Sequence, residues 1–159
     1  MKNELRPEDL SFLDRAPIRQ VRSTVVDLPP DKVFENIANR PVDWPQWFWV
    51  VRDCQYLGDP PCGVGTRRRL ALRGGIVAIE KVLAWDQDSR FAFRVDEINL
   101  PGLQAFMEDW TTEPTPQGRT RLQWVLAADC GKLGRALLAA GSPVLDRILN
   151  RAGHRMAAS

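Results

Sequence analysis

Between positions 50 and 129 the chain is cut into six short runs rich in β-branched and aromatic residues, each closed by turn formers. The runs span 51–57, 66–72, 76–85, 91–97, 103–112 and 119–128. Their separators are Gly58-Asp59-Pro60-Pro61, Arg73-Gly74-Gly75, Asp86-Gln87-Asp88-Ser89, Asn99-Leu100-Pro101-Gly102 and Pro114-Thr115-Pro116-Gln117-Gly118. Connections this short cannot hold the crossover helices that parallel strands need, so the runs form an antiparallel meander.

Two patterns flank the meander. Upstream, 18–28 reads as another strand, and Pro29-Pro30-Asp31 stops it and opens a helix carrying Val33, Phe34, Ile37 and Ala38. Pro41 ends that helix, and Pro45 sits in the first turn of a second short one. Downstream of Gly131, Leu133, Leu137, Gly141, Leu145, Ile148, Ala152 and Met156 recur at helical spacing, with Arg135, Arg147, Arg151 and Arg155 mostly opposite. Gly141-Ser142-Pro143 predicts a kink or break in this helix, with Ser142 capping its second half and Pro143 in the first helical position. A seven-stranded antiparallel sheet must cover its apolar face, and the long helix is the obvious cover. Residues 1–17 read as an appended arm with a short helix after Pro7, and residues 18–159 as one domain.

Composition excludes several classes of function. A net charge of +2 does not point to nucleic acid, and basic and acidic residues are interleaved. No apolar run reaches the roughly 20 residues that span a membrane, and positions 1–20 contain no signal-like apolar core. Cys54, Cys62 and Cys130 are odd in number and lack C-x-x-C spacing, which argues against a disulfide framework and a zinc site and for reduced thiols in the cytoplasm. His154 is the only histidine and lies near the C-terminus, so a histidine-based triad is poorly supported. Gly63-Val64-Gly65-Thr66 lacks the Lys-Ser/Thr and the following helix of a phosphate loop. No metal or cofactor is expected.

Strand alternation selects the inward side chains. Thr120, Leu122, Trp124, Leu126 and Ala128 share the core face of the last run. Phe106, Glu108 and Trp110 share one face of the run before it, and Phe91, Phe93 and Val95 one face of the preceding run. Thr66, Arg68, Leu70 and Leu72 share another. Glu108 and Arg68 thus fall on apolar faces, while Glu80 is ambiguous because Ile79 and Leu83 compete with Ala78 and Val82. Charges on an inward face imply either a structural ion pair or wet sheet edge, or an interior cavity whose polar contacts they are. The aromatic cluster Trp44-Pro45-Gln46-Trp47-Phe48-Trp49 supplies an apolar wall.

The element order, with Leu28-Pro29-Pro30-Asp31-Lys32-Val33-Phe34, Asp43-Trp44-Pro45-Gln46-Trp47, Gly63-Val64-Gly65-Thr66-Arg67, the stretch from Glu113 to Leu122 and the terminal amphipathic helix, resembles the polyketide cyclase/dehydrase-like branch of the START-related (SRPBCC) superfamily. The resemblance covers residues 18–157. It implies an α+β helix-grip fold: a curved seven-stranded antiparallel sheet around the long C-terminal helix, two short helices after the first strand, and a deep cavity between sheet and helix.

The expected function is binding of a hydrophobic, aromatic or polyketide-like molecule, by a monomer or homodimer. Trp44, Trp47, Phe48, Phe93, Phe106, Trp110, Trp124 and Leu145 are the candidate wall. A second reading is aromatase/cyclase or dehydratase chemistry, with Glu108 or Glu80 as general base and Arg68 stabilising an enolate. A third is a protein-interaction module similar to the Hsp90-activator relatives of the fold. Exposed apolar residues on the arm and a filled, cavity-free interior would support that reading.

Overall fold

The computed structural model describes residues 2–159, apart from the side chains of Leu133 and Leu137. The expected place of these two leucines on the apolar stripe therefore lies outside the described residues. In chain order the elements are β1 (Asn3–Glu4), α1 (Phe12–Arg15), β2 (Ile18–Val26), α2 (Pro30–Phe34), a π-helical turn (Glu35–Asn39), a 3-10 turn (Pro41–Asp43), α3 (Trp44–Trp47), β3 (Val51–Leu57), β4 (Arg67–Leu72), β5 (Val77–Asp86), β6 (Arg90–Ile98), β7 (Leu103–Pro114), β8 (Thr120–Cys130), α4 (Lys132–Ala140) and α5 (Ser142–Ala158).

The sheet runs β2-β8-β7-β6-β5-β4-β3, wholly antiparallel, so the six-run meander is continuous and β2 closes onto β8. Register shifts at Val51/Asp53, Ile79/Glu80, Val82/Ala84 and Leu103/Ala105 interrupt the ladders, and such bulges bend and twist a strand. The bulge at Val82/Ala84 also resolves the ambiguity of β5. Val82 and Trp85 both pack into the main core, and Leu83 packs on the other side.

The expected sheet of seven strands has an eighth member. Asn3 and Glu4 pair with Ile98 and Glu97 of β6. The next two residues bridge two strands: the Leu5 amide donates to the Asp96 carbonyl and the Arg6 amide to the Gln104 carbonyl of β7, both at 2.8 Å. The first segment therefore occupies the gap where β6 and β7 diverge. Alternation also sends Ala105, Met107, Val125 and Ala127 to the outer face of the sheet, and Phe12 and Leu13 of α1 cover that patch. Glu8, itself buried, fastens this segment by ion pairs with Arg6 and Arg15.

The terminal helix is broken rather than merely bent. Gly141, not Ser142, occupies the N-cap of α5. Ser142 is already helical, and its hydroxyl is bonded to Arg22 and Gln20. α5 lies on β2 and α3, burying Leu149, Ala152, Gly153 and Met156. Leu149 supplies the anchor the expected stripe omitted, while Leu145 and Ile148 are only half-buried. A Cβ on Gly153 would stand 3.2 Å from Thr24 Cγ2 and 3.3 Å from Val26 Cγ2, so the glycine permits this close approach.

Between β2 and β3 the chain fills the closed end of the grip. The π-helical turn leaves carbonyls that regular helix bonding does not satisfy. The Trp44 indole donates to Ile37 O at 3.0 Å, and the Tyr56 hydroxyl to Ala38 O at 2.6 Å.

Candidate functional site: an acid-lined interior cavity

The inner face of the sheet, α3, α4 and the start of α5 enclose a cavity of about 790 Å³. Its walls are apolar: Trp44, Phe48, Phe93, Phe106 and Trp124 supply rings, and Leu70, Leu72, Val95, Leu138, Leu145 and Ile148 the aliphatic surface. The exposed lining residues Leu100, Pro101, Gly102, Gln104 and Gly131 mark its opening beside α4.

α3 places the aromatic cluster. Trp44 and Trp47 are fully buried, with ring centroids 4.8 Å apart. Trp110 of β7 and Trp124 of β8 face each other directly across the strands and stack at 5.2 Å with an 18° interplanar angle. Phe48 meets both edge-on, at 5.8 and 5.7 Å. Six of the eight expected wall residues line the cavity. Trp47 and Trp110 stand behind them as support. Trp49 turns outward at 37% exposure, with the Arg151 guanidinium 5.9 Å from its ring.

The three arginines 67–69 separate by alternation. Arg67 and Arg69 pair with Glu97 and Asp53 on the outer side. Arg68 turns inward and lies opposite Glu80 on β5, its Nε donating to Glu80 Oε2 at 2.6 Å. Both side chains are buried, at 0% and 1% exposure. Three rings surround the guanidinium: Trp44 at 4.4 Å, Phe93 at 4.5 Å and Phe91 at 5.2 Å from its carbon. Arg68 is absent from the cavity lining, and among the described residues its Nη1 and Nη2 find no hydrogen-bond partner. The aromatic faces take the place of those bonds. Burial pushes the Glu80 carboxyl up, and the charge and hydrogen bond of Arg68 oppose that push. An arginine stays protonated at any ordinary pH, so Glu80 is its counter-ion.

Glu108 does reach the cavity. Its Oε2 accepts the Trp110 indole N–H at 2.9 Å. The Trp124 N–H leans toward the same carboxyl and favours its charged form, without completing a hydrogen bond. Removal from water, reinforced by the negative charge of Glu80, outweighs these donors and the more distant Arg68, and the carboxyl is pushed up to about 7. Its partial exposure is to the cavity.

Several lining positions had no usable sequence signal. Gly131 and Gly134 form the wall at the start of α4, where a Cβ on Gly134 would fall 2.6 Å from Cys130 Sγ. Cys54 is buried and its thiol pushed up to about 12 by desolvation, which makes it a core residue rather than a nucleophile. His154 is exposed on α5. Among the described residues no helix is long and apolar enough to cross a membrane.

A curved antiparallel sheet gripping a terminal helix around an apolar cavity defines a helix-grip protein of the START-like, ligand-binding type. The model of the family described as "Polyketide cyclase / dehydrase and lipid transport" matches residues 18–159. The chain belongs to this family, a polyketide cyclase-like branch of the START-related superfamily. Relatives include an uncharacterized protein of Mycobacterium tuberculosis and its counterpart in Mycobacterium bovis. Each is 33% identical over 142 residues, covering 89% of this chain and 84% of the relative. Among solved structures, the Zhui aromatase/cyclase of a Streptomyces species superposes with a TM-score of 0.69 at 18% identity, covering 86% of this chain and 91% of that one. A START superfamily protein of Mycobacterium smegmatis superposes at 0.63 and 15% identity, covering 82% and 93%. At these identities the superpositions establish the fold alone.

Proposed function

We propose that the protein binds a hydrophobic, ring-bearing small molecule in the interior cavity, as a binding or carrier protein. The observation that carries this reading is the cavity of about 790 Å³, walled by rings and aliphatic side chains. Small-molecule sites typically occupy about 300–1,000 Å³ and combine such walls with few polar groups. A folded domain gains nothing in stability from apolar surface left unpacked, so a cavity of this size points to an occupant. Trp44 and Trp124 on the wall make emission the natural readout. Saturating aromatic polyketides should shift or quench it, and native mass spectrometry after mild purification should detect a retained molecule. Unchanged emission across the panel, together with a bare protein mass, refutes the reading.

A second reading, catalysis of polyketide cyclisation or dehydration, rests on Glu108, whose carboxyl at about 7 suits proton transfer near neutrality. Glu108 would remove a proton from an activated carbon and return it to the departing hydroxyl, which leaves as water. Arg68 does not line the cavity, so its part in such chemistry would be to position Glu80 rather than to meet an enolate. Glu108→Gln separates the two readings. Retained binding with lost turnover supports catalysis, and the absence of turnover in the parent protein refutes it. The interaction-module reading has little support, since Phe12 and Leu13 are buried and the interior is hollow.

A further inference from the structure

The charged groups of the cavity are one-sided, and its neutral donors are the Gln104 amide at the opening and the Trp124 indole. Among the described residues no lysine, arginine or histidine lines it, while two carboxylates do, Glu80 and Glu108. The nearest cation, Arg68, is committed to Glu80 and enclosed by Trp44, Phe91 and Phe93, with its free nitrogens sealed from solvent. Each lining carboxylate has one oxygen engaged: Glu80 Oε2 by Arg68 and Glu108 Oε2 by Trp110. Among the described residues neither Oε1 has a hydrogen-bond partner. The interior thus offers a ligand two free acceptors from acids and no compensating positive charge.

We infer that the ligand presents a hydrogen-bond donor, a hydroxyl or an amino group, to Glu108 and Glu80, and that the cavity rejects hydrophobic carboxylates, fatty acids among them. This inference rests on the binding role proposed above and specifies its ligand class. A donor on the ligand gives a cavity-facing carboxylate oxygen a partner inside an apolar space. An entering carboxylate brings a further negative charge against two acids in a low-dielectric space, with no accessible cation to offset its lost hydration. An acceptor-only group, such as an ether, gains burial of its apolar body but makes no bond with the acids.

Titration calorimetry at pH 7.5 with four molecules on one ring system tests this: 2-naphthol, 2-(aminomethyl)naphthalene, 2-methoxynaphthalene and 2-naphthoate. The naphthol, the amine or both should bind about tenfold more tightly than the methoxy compound, the worth of one hydrogen bond to a charged group. The naphthoate should bind at least about thirtyfold more weakly than the better donor. The naphthol and amine arms distinguish a neutral from a cationic ligand. Glu108→Gln, which removes charge and keeps an acceptor, should narrow the gap between donor and naphthoate to a few-fold. Naphthoate binding as tightly as both donors overturns the inference and leaves the cavity a binding site. Failure of all four to bind overturns the inference together with the binding role. The comparison in the parent protein decides the matter even if the variant does not fold.

Discussion

Replacing Arg68 with methionine isolates the buried charge pair. Methionine keeps an apolar stem of similar length and removes the charge that faces Glu80 at 2.6 Å. Glu80 is then a buried carboxylate without a counter-ion, and it escapes by taking a proton. At pH 7 this costs about 1.36 kcal/mol for each unit between the ordinary carboxyl value of 4.5 and the solution, or about 3.4 kcal/mol. Loss of the guanidinium from the faces of Trp44, Phe93 and Phe91 adds about 1 kcal/mol. The sum, about 4 kcal/mol, lies within the range for breaking a buried ion pair. In the variant the folded form holds a proton that the unfolded form releases, so stability is full below about pH 4.5 and falls as pH rises. At pH 5 the protonation part shrinks to about 0.7 kcal/mol, which makes the loss against the parent about 2.7 kcal/mol smaller than at pH 7. Urea unfolding of both proteins at the two pH values measures this difference, from which the slope due to Glu108 cancels to first order. Adding Glu80→Gln should recover more than half of the loss at pH 7. An equal loss at both pH values, or no recovery in the double variant, refutes the assignment of Glu80 as the ionised partner.

Glu108 sets a further pH dependence: with its carboxyl raised to about 7, parent stability is full below the unfolded value and declines as pH rises through 7. Glu108→Gln should therefore gain about 2 kcal/mol over the parent at pH 8, after discounting for water that reaches the cavity, and lose that advantage at pH 4.5. Thermal melts at the two pH values check it. Gly153→Val places a branched side chain where a Cβ already meets Thr24 and Val26 at 3.2–3.3 Å, and should cost about 2 kcal/mol in urea unfolding. Phe12→Ala strips the cover from Ala105, Met107, Val125 and Ala127 and should cost about 3 kcal/mol by the same measurement.

The meander was legible because antiparallel strands joined by tight turns declare themselves locally. Turn formers mark the ends, and the period of two marks the faces. The cavity's aromatic wall was legible for a similar reason, since Trp124 and Phe93 each fall on an unambiguous inward parity. Glu80 was not, because a bulge breaks the parity of β5, and bulges arise from pairing across strands rather than from the strand's own residues. The same holds for Asn3 and Glu4, too short a segment to carry a period, which become a strand only because β6 and β7 part and leave backbone groups to be bonded.

Sequence alone determined the order of elements from residue 18 onward, the family to which the chain belongs and the presence of charged side chains on faces otherwise apolar. Tertiary structure decided what those charges do. In the sequence Arg68 and Glu108 look alike, as ionisable residues on inward faces, and Glu80 has no readable face. In the folded chain Arg68 and Glu80 are opposed across β4 and β5 and spend much of their charge on each other, while Glu108 faces the cavity with only indole donors beside it. The difference is one of register and distance. Coulombic and desolvation energies depend on separation and on access to water, and both are fixed only when the strands have paired and the helix has closed over them.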